Sequence, residues 1–370
     1  MINKKKVLIV GSFPPKGKKV FGGINRSSQI LVDSFISKEF KIIEFDSSQI
    51  SNPPPNFWIR LSLACFRVIK FIAYIILKKP NIAIIFCSDG WSAFEKGIMI
   101  LICKTLKVKS LIFPRAGNLI LQTNNSKLFR LIIKNLYNKA DVFLCQGTKW
   151  KVFAEQSLNI DFKKTHIIQN WTATNKLLKI GKTKIIKDHK KLNISFVGWL
   201  EKEKGIEELI YAFKSLIQKG YLINLEIIGD GNLTNFIKKF IEKNKLNNCI
   251  FLRGWIDHNS LMKILKNSDI FVLPSWKEGM PNALIESISC GIPSIVTPVG
   301  VIPDFLEDAK SCLFCSPKDK NNLEKTIEKL INDINLRKKI SKNAFLVAKK
   351  NFSTTDALKK LSNILNKINN

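Results

Sequence analysis

The 370-residue sequence predicts an α/β protein built from two doubly wound, Rossmann-like domains in succession. Three observations predict it. Short apolar runs alternate with amphipathic stretches along the whole chain, the rhythm of parallel sheets covered by helices. That rhythm breaks once, in the polar, Lys-rich stretch from Asn170 to Leu192, and then restarts. The composition is globular, 45% hydrophobic and 24% charged, and the length suits two domains of ordinary size.

In residues 1–175, the first expected domain, the strand candidates are Lys6–Val10, Phe40–Phe45, Ile82–Cys87, Ser110–Phe113, Val142–Cys145 and His166–Gln169, with helical stretches between them. Residues 176–192 read as a linker. The second domain, 193–350, begins with strand Asn193–Val197 and helix Ile206–Gln218. It continues through strands Leu225–Ile228, Ile250–Leu252, Ile270–Leu273, Ser294–Thr297 and Leu313–Cys315. Residues 351–370 read as a C-terminal helix whose apolar side has the first domain as one place to pack. Two doubly wound domains carry their ligands at the C-terminal ends of the strands, here expected to face a central cleft.

Sixty Lys and Arg stand against 29 Asp and Glu, a formal charge of +31. Up to residue 175 the count is 27 basic and 9 acidic, and beyond it 33 and 20, so the basicity is not a tail. Such a field favours polyanions: nucleic acid, an anionic membrane surface or phosphorylated ligands. A Lys-rich coding bias is the alternative, and the many Ile and Asn residues fit it. No helix-turn-helix, RNA-recognition or zinc signature occurs, and the cations are not gathered on one element, which argues against a nucleic-acid-binding protein. MINKKKVLIVG starts basic, but its apolar run is a strand's length without a small-residue cleavage site, so no secretory signal is read. Eight scattered Cys give no disulfide framework. Cys312 and Cys315 fall in a strand whose odd separation sends them to opposite faces, poor for a shared metal. Reduced thiols in a cytoplasmic protein are the expectation.

The longest apolar region, Phe57 to Leu77, is interrupted by Arg60, Arg67 and Lys70, so a membrane-spanning helix is not expected. As a helix it would be apolar around most of its girth with a narrow basic stripe. Packing beside a sheet and contact with the inner face of an anionic membrane both remain open.

The chemistry-bearing segment is FVLPSWKEGMPNALIESISCG. A strand runs into a loop, Ser275 to Met280, and Pro281 suits the first position of the following helix, where its missing N–H is not needed. Free N–H groups and the dipole at such a helix start suit a phosphate. Glu278 in the loop and Glu286 one to two turns into the helix can border one pocket, and a carboxylate accepts two neighbouring hydroxyls of a sugar. From the residues alone, a solvated Glu278 and a Lys-paired Glu286 stand as an equal alternative.

The segment Phe271 to Phe305 resembles the E-x7-E signature region of glycosyltransferase family 4, retaining sugar transferases of the GT-B fold. E-G-x-P-x-x-x-x-E, the following x-x-x-G-x-P and T-x-x-G all match in order and spacing. NISFVGWLEKEKG, Asn193 to Gly205, resembles the family's V-G-R-L-x-x-x-K-G. LEIIGDGN resembles its strand ending in G-D-G, taken as a structural turn. FLRGWI resembles the strand that ends near the nucleotide base. In the first half, Gly22-Gly23 before a helix matches the family's glycine loop, while Asp89 and the FPRAGNL loop are looser matches.

The resemblance implies transfer of a sugar from a nucleotide-diphosphate sugar to a glycan or lipid-linked acceptor, in surface polysaccharide synthesis. It implies donor binding by Gly198, Trp199, Lys204, Arg253, Gly254, Glu278, Gly279, Met280, Pro281, Asn282 and Glu286, with Trp255 also near the base. Lys204 and Glu278 carry the catalytic roles. Gly22, Gly23, Asp89, Arg115 and Asn118 are the candidates for the acceptor or phosphate side. No cofactor is implied, and no Asp-x-Asp metal motif occurs. Three departures stand out: Trp199 replaces the family's Arg, Val301 replaces a second Gly after Gly300, and none of His166, His189 and His258 matches the cleft histidine of many relatives. A sugar-nucleotide epimerase on the same fold is the second reading. It would need acid and base groups in the cleft, and the missing histidine counts against it.

Overall fold

The computed structural model describes residues 4–13, 22–48, 55–188 and 190–368. His189 and most of the long loop before Gly22 lie outside them. The chain divides into two compact units: Met1–Trp171 with Thr354–Asn370, and Thr172–Ser353.

The first unit holds six strands, β1 (Lys6–Gly11), β2 (Lys41–Asp46), β3 (Ile82–Cys87), β4 (Lys109–Pro114), β5 (Val142–Cys145) and β6 (Thr165–Ile167), in the order β2-β1-β3-β4-β5-β6. The second holds β7 (Leu192–Val197), β8 (Ile223–Ile228), β9 (Ile250–Gly254), β10 (Ile270–Leu273), β11 (Ser294–Val296) and β12 (Leu313–Phe314), in the order β12-β11-β10-β7-β8-β9. Every pairing is parallel. Each strand expected from the sequence is present, with ends shifted by up to two residues. Parallel strands covered on both faces need continuous apolar runs. IAIIFC of β3, buried at every position, shows why the reading worked.

In each sheet the order reverses beside the first strand: between β1 and β3, and between β7 and β10. At such a reversal the two connecting loops leave in opposite directions and open a crevice at the strands' C-terminal ends. These crevices position the candidate sites.

Two boundary expectations are corrected. The stretch 176–192 is no free linker. Asn175–Lys182 is a helix with Thr174 as its cap and Leu177 buried, and it packs on helices Asn282–Ser289 and Ile334–Asn351 within the second unit. Gly181 permits the approach, because a Cβ there would lie 2.2 Å from the Ser289 carbonyl oxygen. The first unit therefore ends at Trp171, not at 175. The chain returns to it at Thr354: in helix Thr354–Ile368 the residues Leu358, Leu361 and Leu365 share one core with Val7, Ile9, Phe86 and Trp171. The Thr354 hydroxyl donates to the Trp171 carbonyl at 2.6 Å and fixes the start of that helix.

Candidate functional site

The loops leaving β7 and β10 flank the reversal of the second sheet. After β7 come Gly198, Trp199 and a single 3-10 turn, Lys202–Lys204, that ends in left-handed Gly205 (φ 68°). A Cβ on Gly205 would sit 2.1 Å from the Pro274 carbonyl oxygen, so only glycine lets the two loops touch here. After β10, the loop Pro274 to Pro281 leads into helix Asn282–Ser289. Pro281 is the N-cap (φ −71°, ψ 125°), one position earlier than the sequence suggested. Its extended ψ belongs to a cap, and Asn282 takes the first helical place.

Across this junction Lys204 Nζ donates to Glu278 Oε1 at 2.6 Å, and the Ser275 hydroxyl donates to the same oxygen at 2.9 Å. The two side chains are 24% and 10% exposed, so the pair is shielded without being sealed. Further bonds stitch the loops: Trp276 N–H to the Glu203 carbonyl at 2.8 Å, and Trp276 Nε1 to Glu208 at 3.1 Å. Sequence reasoning missed Ser275 and Trp276. Their signal was placement inside the loop between two matched motifs.

Gly300 supports the loop from below. It is left-handed (φ 61°), and a Cβ would come within 2.4 Å of both the Glu278 and Gly279 carbonyl oxygens. Val301 N–H donates to Gly279 O at 3.1 Å from an ordinary φ of −101°. Val301 thus needs no glycine, which accounts for that departure. Glu286 is buried, 5% exposed, on the helix beyond Pro281, as is Met280 in the loop. Burial pushes the Cys290 thiol up to about 12, with the Glu286 charge adding to the shift.

The remaining donor-side candidates divide. Trp199 packs edge-on against Trp255, ring centroids 4.8 Å apart, across the end of β8. Gly229 makes room there: a Cβ would meet the Gly198 carbonyl oxygen at 1.8 Å. Trp199 therefore stands in an aromatic pair where the family has a cation. Arg253 is turned away into a bidentate pair with Glu226 on β8, at 2.6 and 2.9 Å, with its guanidinium over Phe251. Its neighbour Gly254 adopts a left-handed turn (φ 64°) at the end of β9.

In the first unit, Gly22 and Gly23 stand at the N-cap and first position of helix Gly23–Val32, after β1. Asp89 caps helix Gly90–Thr105 after β3, on the other side of the reversal, and its side chain makes no capping bond. Asn118 opens helix Asn118–Asn125. Arg115, at the end of β4, is half-buried against Phe113, Trp171 and Phe86, at 4.7, 5.5 and 5.8 Å. Its Nη2 donates to the Ser27 hydroxyl at 2.8 Å, while its buried Nη1 has no hydrogen-bond partner. Burial pushes the guanidinium down to about 9. His166 lies on β6 and His258 opens helix His258–Asn267. Among the described residues, no group of three or more His, Cys, Asp or Glu could hold a metal ion.

Residues 180–347 match the family model described as glycosyl transferases group 1. The match falls within the second unit, and the two-unit fold is the GT-B architecture. An uncharacterized glycosyltransferase of Methanocaldococcus jannaschii is 29% identical over 248 residues, 65% of this chain and 62% of that one. The capsular polysaccharide biosynthesis glycosyltransferase CapM of Staphylococcus aureus is 32% identical over 188 residues, 49% of this chain and 48% of CapM. The matched stretch thus spans less than two thirds of either relative. Sucrose-phosphate synthase of Thermosynechococcus elongatus has the same fold, with TM-score 0.77 at 15% identity over 99% of both chains. Anabaena HepE, solved with UDP-glucose, superposes with TM-score 0.70 at 14% identity, covering 98% of this chain and 99% of HepE.

Proposed function

We propose that this protein is a retaining glycosyltransferase that moves a sugar, of the hexose type, from a nucleotide-diphosphate sugar to a glycan or lipid-linked acceptor in polysaccharide synthesis. One observation carries the reading: Lys204 and Glu278, 74 residues apart, meet at 2.6 Å where the strand order reverses. An ammonium group has three N–H donors, and Glu278 takes one of Lys204's. The others are available to a diphosphate, beside the N–H groups at the start of helix Asn282–Ser289. Both stabilise the charge that grows on the leaving diphosphate. Glu286 holds the ribose hydroxyls and Glu278 those of the donor sugar. Retention follows from attack on the face the diphosphate leaves, with a phosphate oxygen accepting the acceptor's proton. No divalent ion is required in this scheme, so added chelator is expected to leave the rate unchanged. The similarity to CapM, a capsular polysaccharide biosynthesis glycosyltransferase, and to HepE, solved with UDP-glucose, supports the polysaccharide setting and the donor class.

The test is turnover with a panel of nucleotide sugars. Lys204→Ala and Glu286→Ala each lower it about tenfold or more, a lost interaction of roughly 1.4 kcal/mol. Wild-type rates in both variants would sink the assignment.

A further inference from the structure

Helix Phe57–Lys78 points its apolar residues the wrong way for a water-soluble surface. Of its 22 residues only Phe71 and Ile75 are buried. Trp58, Phe66, Ile69, Ile76 and Leu77 are 74, 64, 64, 55 and 76% exposed. At helical pitch these five fall on one arc of about 100°, and they extend along roughly 28 Å of the axis. Single exposed apolar residues are ordinary, but a continuous row of this length marks an interaction surface. No helix among the described residues is long and apolar enough to cross a membrane. A role lying on a surface remains.

The charges select the partner. The helix carries Arg60, Arg67, Lys70 and Lys78 and no acidic residue. Arg67 is committed to Glu95 at 2.7 Å, and Lys70 lies over the Phe45 and Tyr74 rings. Lys70 is itself exposed, about 20° outside one edge of the apolar arc, whereas Arg60 and Lys78, also exposed, lie about 100° beyond that edge, toward the far side of the helix. A second copy would bring the same positive sign to this face, whereas an anionic lipid surface complements it. Trp58 packs on Phe57, and Phe57 on Trp91, at 5.2 and 5.6 Å, an aromatic group suited to the boundary between headgroups and acyl chains.

We propose that helix Phe57–Lys78 lies flat in the surface of an anionic lipid bilayer and docks the first unit on it. This goes beyond the transfer reaction and does not depend on it.

The experiment is sedimentation of the full chain with phosphatidylcholine vesicles containing about one third phosphatidylglycerol, at low and high salt. The comparison is with the double variant Phe66→Ser/Ile69→Ser, which alters only exposed side chains and leaves the charge unchanged. Expected are wild-type binding, a blue shift of tryptophan emission, and a partition coefficient about tenfold lower in the variant. The variant should keep its circular dichroism spectrum and its hydrolysis of nucleotide sugar. Equal binding of variant and wild type would mean charge alone is at work and overturn the proposal. Absence of wild-type binding at low salt would do the same, as would light scattering showing a dimer that the variant dissolves.

Discussion

Gly205 sets the spacing of the two loops that bring Lys204 to Glu278. Alanine there meets both a left-handed backbone and the Pro274 carbonyl, and the loops must part. A loss of roughly 2–3 kcal/mol is expected, read as a lower Tm, together with a fall in turnover. A variant with wild-type Tm would show that the loops give way freely. Arg115 is expected to behave in the opposite sense. Its folded-state pKa is depressed by burial, so its charge costs stability below about pH 9, and that cost eases as pH rises further. Arg115→Met should keep or raise the Tm without ligand and lose any stabilisation by added phosphate. A lower Tm with phosphate stabilisation intact would remove Arg115 from the acceptor or phosphate side.

At this scale the sequence nominated candidate residues more readily than it showed what they touch. The spacing from Glu278 to Glu286 is local and was legible. The bond from Lys204 to Glu278 was not, because it depends on two strands being neighbours. The ring on Trp199 and the pairing of Arg253 with Glu226 were hidden for the same reason, since each partner comes from another strand.

Between elements, the helix Phe57–Lys78 is tied to helix Gly90–Thr105 through Arg67, Glu95 and Lys96. Glu95 and Lys96 are 6 and 3% exposed. Burial alone would raise the Glu95 pKa, but Arg67 and Lys96 outweigh it and hold it below the usual carboxylate range. A depressed carboxylate contributes stability that is present above its unfolded value and is lost as pH falls through the folded one. Denaturation below about pH 4 should therefore be blunted in Glu95→Gln, which starts less stable at neutral pH by about 3 kcal/mol because it strands a buried cation. Parallel stability profiles for the two proteins would rule this out. Elements themselves were readable because buried parallel strands write continuous apolar runs. Helix Asn175–Lys182 escaped because its many Lys residues looked like a solvated connector. Its interior Gly181 was the overlooked mark of close packing.

For the molecule as a whole, the division at Trp171 and Ser353 predicts how fragments behave. A chain of residues 172–353 should fold cooperatively and be stabilised by a nucleoside diphosphate, as a scanning calorimeter would show. Removing residues 354–370 should leave that transition in place and abolish the one belonging to the first unit. A single transition lost or shifted as a block in the shortened chain would contradict the division. The boundary was misplaced from sequence because polar composition marks exposed chain: the first crossing sits at the very start of the polar stretch, and the return at Thr354 lies far outside it.

The return of helix Thr354–Ile368 to the first core also imposes a timetable on biosynthesis. The N-terminal sheet leaves the ribosome long before the helix that covers part of it. During translation of the intervening domain that surface lacks its cover and is open to aggregation or to a chaperone. The second unit, continuous in sequence, can finish first. The half of the protein made earliest is then the half that matures last, and a ribosome that stops shortly before the end would yield a product with one sound domain and one unfinished.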